Sequence, residues 1–252
     1  MIVMMGQRMT KRLKTQPCYA AIIVAAGKGE RFGSDLPKQY LPLNGKPILQ
    51  HTCNVFLSHP LISDTVIVYN PNHRRYLDAV VGGMPTDNVT LVQGGDSRME
   101  SVYKGLCALE NVNPDYVLIH DGARPCVTFD LIDRVCQNLQ SGKHAVIPAL
   151  PVTDTLKSVE KDKIKTSIDR STLRAAQTPQ GFDYGLLSNL YRTSTDTSFT
   201  DDSQLFEKAG LDVYVTQGED TNIKITYPHD MRLAEFYLPK QRKPKPPEEK
   251  VA

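Results

Sequence analysis

The stretch Tyr19-Ala20-Ala21-Ile22-Ile23-Val24-Ala25-Ala26-Gly27-Lys28-Gly29-Glu30-Arg31-Phe32-Gly33 decides the fold. An unbroken apolar run describes a strand covered on both faces. It empties into small residues and glycines, which let a backbone come close to a ligand and turn its N–H groups toward phosphate oxygens. Outward from this stretch, residues 65–69, 89–92, 116–120 and 145–149 are further short runs rich in Val, Ile and Leu. Between them, residues 47–57, 97–109 and 129–139 carry apolar residues at helical spacing, with Pro47 at a first-turn position. Strands alternating with helices predict an α/β fold, a Rossmann-like, mostly parallel open sheet with its crevice at the carboxyl ends of the strands.

The rhythm breaks after Pro151. Residues 152–168 alternate apolar and polar around a charged tip at 160–165, which predicts a protruding β-hairpin. A lone hairpin buries little, so this arm is expected to pack on another subunit. Beyond it come a helix at 200–209 ended by Gly210, strands at 213–216 and 223–226, and a closing helix at 229–237. The expected organisation is a disordered extension over 1–17, one domain over 18–238 with the arm at about 151–172, and a Pro- and charge-rich disordered tail over 239–252.

Composition narrows the function. Of 252 residues 40% are apolar, enough for one large core, and the formal net charge of +2 offers no global field for nucleic acid or an anionic membrane. No apolar run approaches the roughly 18 residues of a membrane span. The early charges Lys11, Arg12 and Lys14 lead into polar residues and not into the apolar core of a signal peptide. Cys18, Cys53, Cys107, Cys126 and Cys136 form no CxxC pair, which fits buried free thiols in a reducing cytoplasm.

The glycine loop is neither of two familiar phosphate binders. A dinucleotide fingerprint needs a third glycine where Phe32 stands, a helix at once, and an acid closing the second strand, which ends in Tyr69-Asn70-Pro71. A P-loop fails because Pro47 follows Gly45-Lys46 and Tyr40 stands where its first glycine belongs. Roughly twenty residues separate strand from helix, far more than such connections usually hold. They carry Lys28, Arg31 and Lys38, a set suited to a polyphosphate.

Ala25-Ala26-Gly27-x-Gly29-x-Arg31 followed by Pro37-Lys38-Gln39-Tyr40-Leu41 resembles the nucleotide-binding signature of the sugar-phosphate nucleotidyltransferases, in its cytidylyltransferase branch. Further segments are similar in order. Gly94-Gly95-Asp96-Ser97-Arg98 with Ser101 resembles the base-recognition turn of that family, and His120-Asp121-Gly122-Ala123-Arg124-Pro125 its acceptor segment, with glycine at 122 where the family usually has alanine. The segments around Asp154-Thr155, Asp169-Arg170 and Gln177-Thr178-Pro179-Gln180 resemble the acceptor-binding portions of the 2-C-methyl-D-erythritol 4-phosphate cytidylyltransferases. Arg174 stands where those proteins often carry tryptophan. Thr200-Asp201-Asp202 and Asn222-Ile223-Lys224-Ile225-Thr226 resemble their closing motifs.

The resemblance implies transfer of a cytidylyl group from CTP to 2-C-methyl-D-erythritol 4-phosphate, with release of pyrophosphate, in non-mevalonate isoprenoid precursor synthesis. It implies CTP contacts from Ala25, Ala26, Gly27, Gly29, Gly95, Asp96 and Ser101, and acceptor contacts from Asp121, Gly122, Arg124, Thr155, Arg170, Thr178 and Lys224. Arg31 and Lys38 would stabilise the transition state, while Arg170 and Lys224 hold the acceptor phosphate. The arm would cross to a second subunit, so that Thr155, Arg170 and Thr178 serve the neighbour's site in a cytoplasmic homodimer. Mg²⁺ or another divalent cation would accompany the triphosphate, which with water supplies most of its ligands. His120 reads as a packed histidine, and for Lys224, between two isoleucines, the solvated face of an edge strand is the minor alternative to the site. Two alternatives remain open: a ribitol 5-phosphate cytidylyltransferase and a nucleotide-binding protein without catalysis.

Overall fold

The computed structural model describes residues 16–27, 29, 32–34, 36–194, 199 and 201–238. Its elements in chain order are β1 (Tyr19–Ala25), β2 (Pro42–Leu43), β3 (Lys46–Pro47), α1 (Ile48–Ser58), β4 (Ile62–Tyr69), α2 (Arg74–Val81), β5 (Val89–Gln93), α3 (Arg98–Ala108), β6 (Tyr116–Asp121) and α4 (Phe129–Gln140). Then come β7 (Ala145–Pro151), β8 (Leu156–Glu160), β9 (Lys163–Ile168), β10 (Arg174–Ala176), β11 (Gln180–Asp183), α5 (Tyr184–Thr193), α6 (Ser203–Lys208), β12 (Tyr214–Gln217) and α7 (Asp230–Tyr237).

β1 is the central strand, parallel to β4 on one side and to β6 on the other, with β5 beyond β4. Its alternating side chains feed two cores. Tyr19, Ala21, Ile23 and Ala25 join the cluster that includes Leu49, Phe56, Leu131 and Val135, while Ala20 and Ile22 join Val102, Leu106, Phe182 and Phe206 on the other face. This is why the sequence shows no polar alternation there: both faces are roofed by helices. Each fully buried isoleucine contributes about 1.5–3 kcal/mol by transfer from water. The chain winds outward from β1 through β4 to β5, then returns through α3 to β6 on the opposite side. That reversal leaves a crevice above the carboxyl ends of β1 and β6.

An antiparallel insertion interrupts the parallel order. β11 pairs with both β6 and β7, and β10 continues along β7, so β6 and β7 run the same way with an opposed strand between them. Ala176 faces Ala149, whereas Gly181, five residues on, faces Val146, only three residues back. The surplus of two residues lets the segment Gln177-Thr178-Pro179 bulge beside the end of β6, with the Gln177 N–H still bonded to the Pro148 carbonyl. β12 pairs with the other edge of β7.

Several expectations need correction. Residues 223–226 are not a strand: the Ile225 N–H donates to the Ala123 carbonyl in the loop after β6, and no ladder forms. Lys224 out and Ile225 in mimic strand alternation, but the backbone crosses the loop instead of pairing with an edge. Pro47 is the cap residue before α1 and ends the small β2–β3 hairpin. α6 begins at Ser203, with Gly210 after it at φ 71° as a left-handed stop. Three cysteines are buried, but Cys18 is half-buried and Cys107 exposed. Residues 1–15 and 239–252, which hold the proposed extension and tail, lie outside the described residues.

The arm does form. β8 and β9 pair only with each other, through a two-residue turn at Lys161-Asp162 with φ of 48° and 63°. The register slips between Ser158 and Val159, and Leu156 faces Ile168 while Val159 faces Ile164. The extra residue lies in β9, so the pair Leu156–Ile168 lies on one face and the pair Val159–Ile164 on the other, where they are 56% and 65% exposed.

Candidate active site

The cleft above β1 and β6 has a volume of about 980 Å³. Three walls build it: the glycine loop with Lys38, the turn before α3, and the end of β6 with Lys224.

The first wall is fixed by Gln39. Its buried amide donates to the Ala25 and Gly27 carbonyls at 2.9 and 3.0 Å, tying the short helical turn Lys38–Tyr40 back to the loop. Gly29, at φ 73°, lies against the aliphatic stem of Lys38. Lys28 and Arg31 lie outside the described residues.

The second wall is a helix start. Ser97 caps α3 by accepting the Glu100 N–H at 3.0 Å, and the Glu100 carboxylate reaches back to the Asp96 N–H at 2.8 Å. Ser101 Oγ accepts the Gly95 N–H and donates to the Ser97 carbonyl, so it shapes the turn that it lines. A Cβ at Gly94 would lie 2.5 Å from that of Ala26, so only glycine lets this turn meet the first wall.

The third wall is a charge network. Lys224 Nζ stands 2.9 Å and Arg124 Nε 3.2 Å from Asp121 Oδ2. Burial opposes ionisation of Asp121, but Lys224, Arg124 and the more distant Arg98 outweigh it and hold the carboxyl well below the usual carboxylate range. Beneath it, Thr178 Oγ1 accepts the Asp121 N–H at 3.1 Å and meets His120 Nδ1 at 3.0 Å. Because the Arg124 carbonyl can only accept, His120 Nε2 donates to it at 3.2 Å, and Nδ1 of the neutral ring accepts the Thr178 hydroxyl. Burial pushes His120 down to about 3, so the ring is neutral and structural. Asn222 Nδ2 closes the network on the Thr178 carbonyl at 2.7 Å.

Of the residues expected at the site, Ala25, Ala26, Gly27, Gly29, Lys38, Gly95, Asp96, Ser101, Asp121, Gly122 and Lys224 line this one cleft. Lys224 is thus no mere solvated edge. Two placements differ, those of Arg124 and Thr178. Arg124 does not line the cleft; its guanidinium is spent on Asp121 and the Asn222 carbonyl. Thr178 is buried under its own chain's Asp121, delivered there by the bulge, and is not presented to a neighbour. Thr155 and Arg170 are exposed at the base of the arm, where Arg170 donates to the Thr153 carbonyl. Gly122 has a local reason: a Cβ there would meet Leu49 Cδ1 at 3.0 Å, the Val24 carbonyl at 3.1 Å and Ala25 Cβ at 3.2 Å. Nothing in the structure explains Arg174, whose guanidinium bonds the Ser171 and Leu173 carbonyls.

Sequence reasoning missed the work of Gln39, Asn222 and Arg98. Arg98 lines the cleft and pairs with Asp202 at 2.6 Å. The only sequence signal was that both fall within quoted motifs, separated by a hundred residues.

No cluster of three or more His, Cys, Asp or Glu among the described residues could hold a metal ion. The cleft's carboxylates are Asp96 and Asp121, the latter already paired with two cations. This donor set fits a divalent ion only if the ligand brings most of its coordination. No helix among the described residues is long and apolar enough to cross a membrane.

The family described as IspD, 2-C-methyl-D-erythritol 4-phosphate cytidylyltransferase, matches residues 19–240. The 2-C-methyl-D-erythritol 4-phosphate cytidylyltransferase of Haemophilus ducreyi is 40% identical over 220 residues, covering 86% of this chain and 95% of that protein. The bifunctional enzyme IspD/IspF of Rhodospirillum rubrum is 46% identical over 216 residues, covering 86% of this chain but 56% of that protein. The chain thus spans about half the length of such bifunctional relatives. The crystal structure of Francisella tularensis 2-C-methyl-D-erythritol 4-phosphate cytidylyltransferase superposes with a TM-score of 0.76 at 31% identity, covering 88% of this chain and 100% of that one.

Proposed function

Because the chain belongs to the family of 2-C-methyl-D-erythritol 4-phosphate cytidylyltransferases, we propose that it transfers the cytidylyl group of CTP to 2-C-methyl-D-erythritol 4-phosphate, forming 4-diphosphocytidyl-2-C-methyl-D-erythritol and pyrophosphate. The observation that carries this reading is the placement of Lys38 and Lys224 on facing walls of one cleft, between the glycine loop and the end of β6.

An oxygen of the acceptor phosphate attacks the α-phosphorus of CTP in line. A new P–O bond forms, the bond to the bridging oxygen breaks, and pyrophosphate leaves with that electron pair. The attacking phosphate is anionic near neutral pH, so no general base is required. The barrier lies in bringing two anions together and in charge gathering on the α-phosphate. Two unit charges about 4 Å apart at an effective dielectric near 20 interact by about 4 kcal/mol, and each 1.4 kcal/mol or so is tenfold in rate. Lys38, with Arg31, neutralises the triphosphate side. Lys224 and Arg170 hold the acceptor phosphate, and Asp121 is an ionised acceptor for its hydroxyls. The Gly95–Asp96 turn takes the cytosine edge. A divalent cation, Mg²⁺ foremost, would screen the triphosphate's charge; Asp96 and Asp121 are the cleft's carboxylates, so the triphosphate and water would supply most of its ligands.

The partner assignment follows from the arm. Val159, Ile164 and Ile168 leave apolar surface exposed on a two-stranded unit that cannot bury it alone. A second copy of the chain covers it and receives Arg170 and Thr155 at its own cleft, in a cytoplasmic homodimer.

Pyrophosphate release at matched CTP distinguishes the acceptors. The methylerythritol phosphate is expected to support turnover at least tenfold faster than ribitol 5-phosphate. The reverse order assigns the chain to ribitol phosphate chemistry, and CTP binding without turnover on either acceptor rejects catalysis.

A further inference from the structure

Arg98 is hard to account for as a stabilising residue. It is the first residue of α3, where the helix dipole favours an anion, and Ser97 and Glu100 already cap that end. Its partner Asp202 is fully buried, at the start of α6. A buried ion pair returns little net stability after both charges are desolvated. Burial pulls against the guanidinium's charge, yet Asp202 and then Asp121 outweigh it and keep Arg98 firmly cationic.

What the arrangement does achieve is aim. Asp202 uses both oxygens: Oδ2 accepts from Arg98 Nη2, and Oδ1 accepts the hydroxyl of buried Tyr191 from α5. Burial, and then Asp202, push the Tyr191 phenol far above its ordinary range, so it stays protonated and donating. The carboxylate cannot rotate without losing a partner, and the guanidinium is fixed with it. Arg98 keeps a side chain 27% exposed on the cleft wall. Its charge reaches Asp121, whereas the Gly95–Asp96–Ser101 turn is closed by its own hydrogen bonds. Its place is therefore where the nucleotide turn meets the acceptor wall.

We propose that Arg98 is a specificity-determining residue on the acceptor side of the cleft, donating to the anionic or hydroxyl oxygens of the polyol phosphate, and that Asp202 and Tyr191 are the positioning residues that aim it. This rests on the cytidylyl-transfer reading. A planar guanidinium held through Nη2 keeps its remaining N–H donors in one plane, which an ammonium cannot reproduce.

The test is steady-state kinetics on the full chain with CTP and 2-C-methyl-D-erythritol 4-phosphate varied in turn. Arg98→Lys is expected to raise the acceptor KM about tenfold with the CTP KM changed by less than about twofold. Tyr191→Phe, which removes one hydroxyl and keeps the ring, raises the same constant by about threefold, and adds nothing in the Arg98→Lys background. An effect of Tyr191→Phe that is equal in both backgrounds overturns the aiming role. A change in the CTP KM as large as that for the acceptor, or losses that merely track a lowered melting temperature, overturns the acceptor assignment. A wild-type chain that releases no pyrophosphate defeats the reaction itself, whereas an active wild type with an unchanged acceptor KM in Arg98→Lys defeats only this inference.

Discussion

At the end of β6 every charge is matched within the chain. Asp121 holds Lys224 and Arg124, Thr178 accepts its backbone N–H and meets His120, and Asn222 locks the bulge that carries Thr178. Along β8 and β9 the opposite holds: Val159, Ile164 and Ile168 are exposed, and Thr155 and Arg170 stand outside the cleft of their own chain. The first region is a finished piece of chemistry; the second has its surfaces but not their complement. On the proposed reading, a site that joins them would take its rigid half from one fold and its acceptor clamp from an arm placed by association.

The largest expected effect breaks the finished half. Lys38→Ala should lower turnover about a hundredfold or more with the fold retained, because a cation at the reacting phosphate acts mainly in the transition state. Wild-type turnover in the folded variant would remove Lys38 from the chemistry. The next sharpens the division between the halves. Arg170→Ala is also expected to be nearly inactive, yet mixing it with Lys38→Ala should recover roughly a quarter of wild-type activity, since half of randomly paired dimers hold one intact site of two. No recovery on mixing would put Arg170 to work in its own subunit.

The smallest effect tests how closed the network under Asp121 is. Buried His120 has its pKa lowered to about 3 from an unfolded value near 6.5, so the unfolded chain binds a proton that the folded chain refuses. Its contribution is complete above about pH 6.5 and is lost as the pH falls toward 3. Thermal melts should therefore drop between pH 6.5 and 4, and less steeply in His120→Gln. The slope should not vanish, because burial also lowers His51, His59 and His73. Asp121, depressed below the usual carboxylate range, adds its loss only at still lower pH. An identical slope in wild type and variant would mean that His120 is open to protons.

Residue order alone carried β1, the glycine loop, the helical stretch of α3 and the hairpin, because each is written in neighbouring residues: a run covered on two faces, small residues after it, apolar residues at helical spacing, alternation around a turn. Membership of the cleft's glycine-loop and α3-turn walls was legible through the resemblance of contiguous motifs. Arg124 and Thr178 were misplaced because their partners lie far away in sequence. Arg124 finds the carbonyl of Asn222, and Thr178 reaches Asp121 only because two register-shifted strands bulge between β6 and β7. Residues 223–226 were read as a strand because alternation records which side chains face inward, not which backbone groups are paired.

By itself, then, the amino-acid order determined the sheet type, the crevice end and the cation-bearing loop, all consequences of spacings of two to four residues. The closure of α3, α5 and α6 around one buried carboxylate, and of Lys224 onto Asp121, was decided by the packed fold alone. Such pairs draw their energy from desolvated charges brought together across a hundred residues, and only the assembled tertiary structure sets that distance.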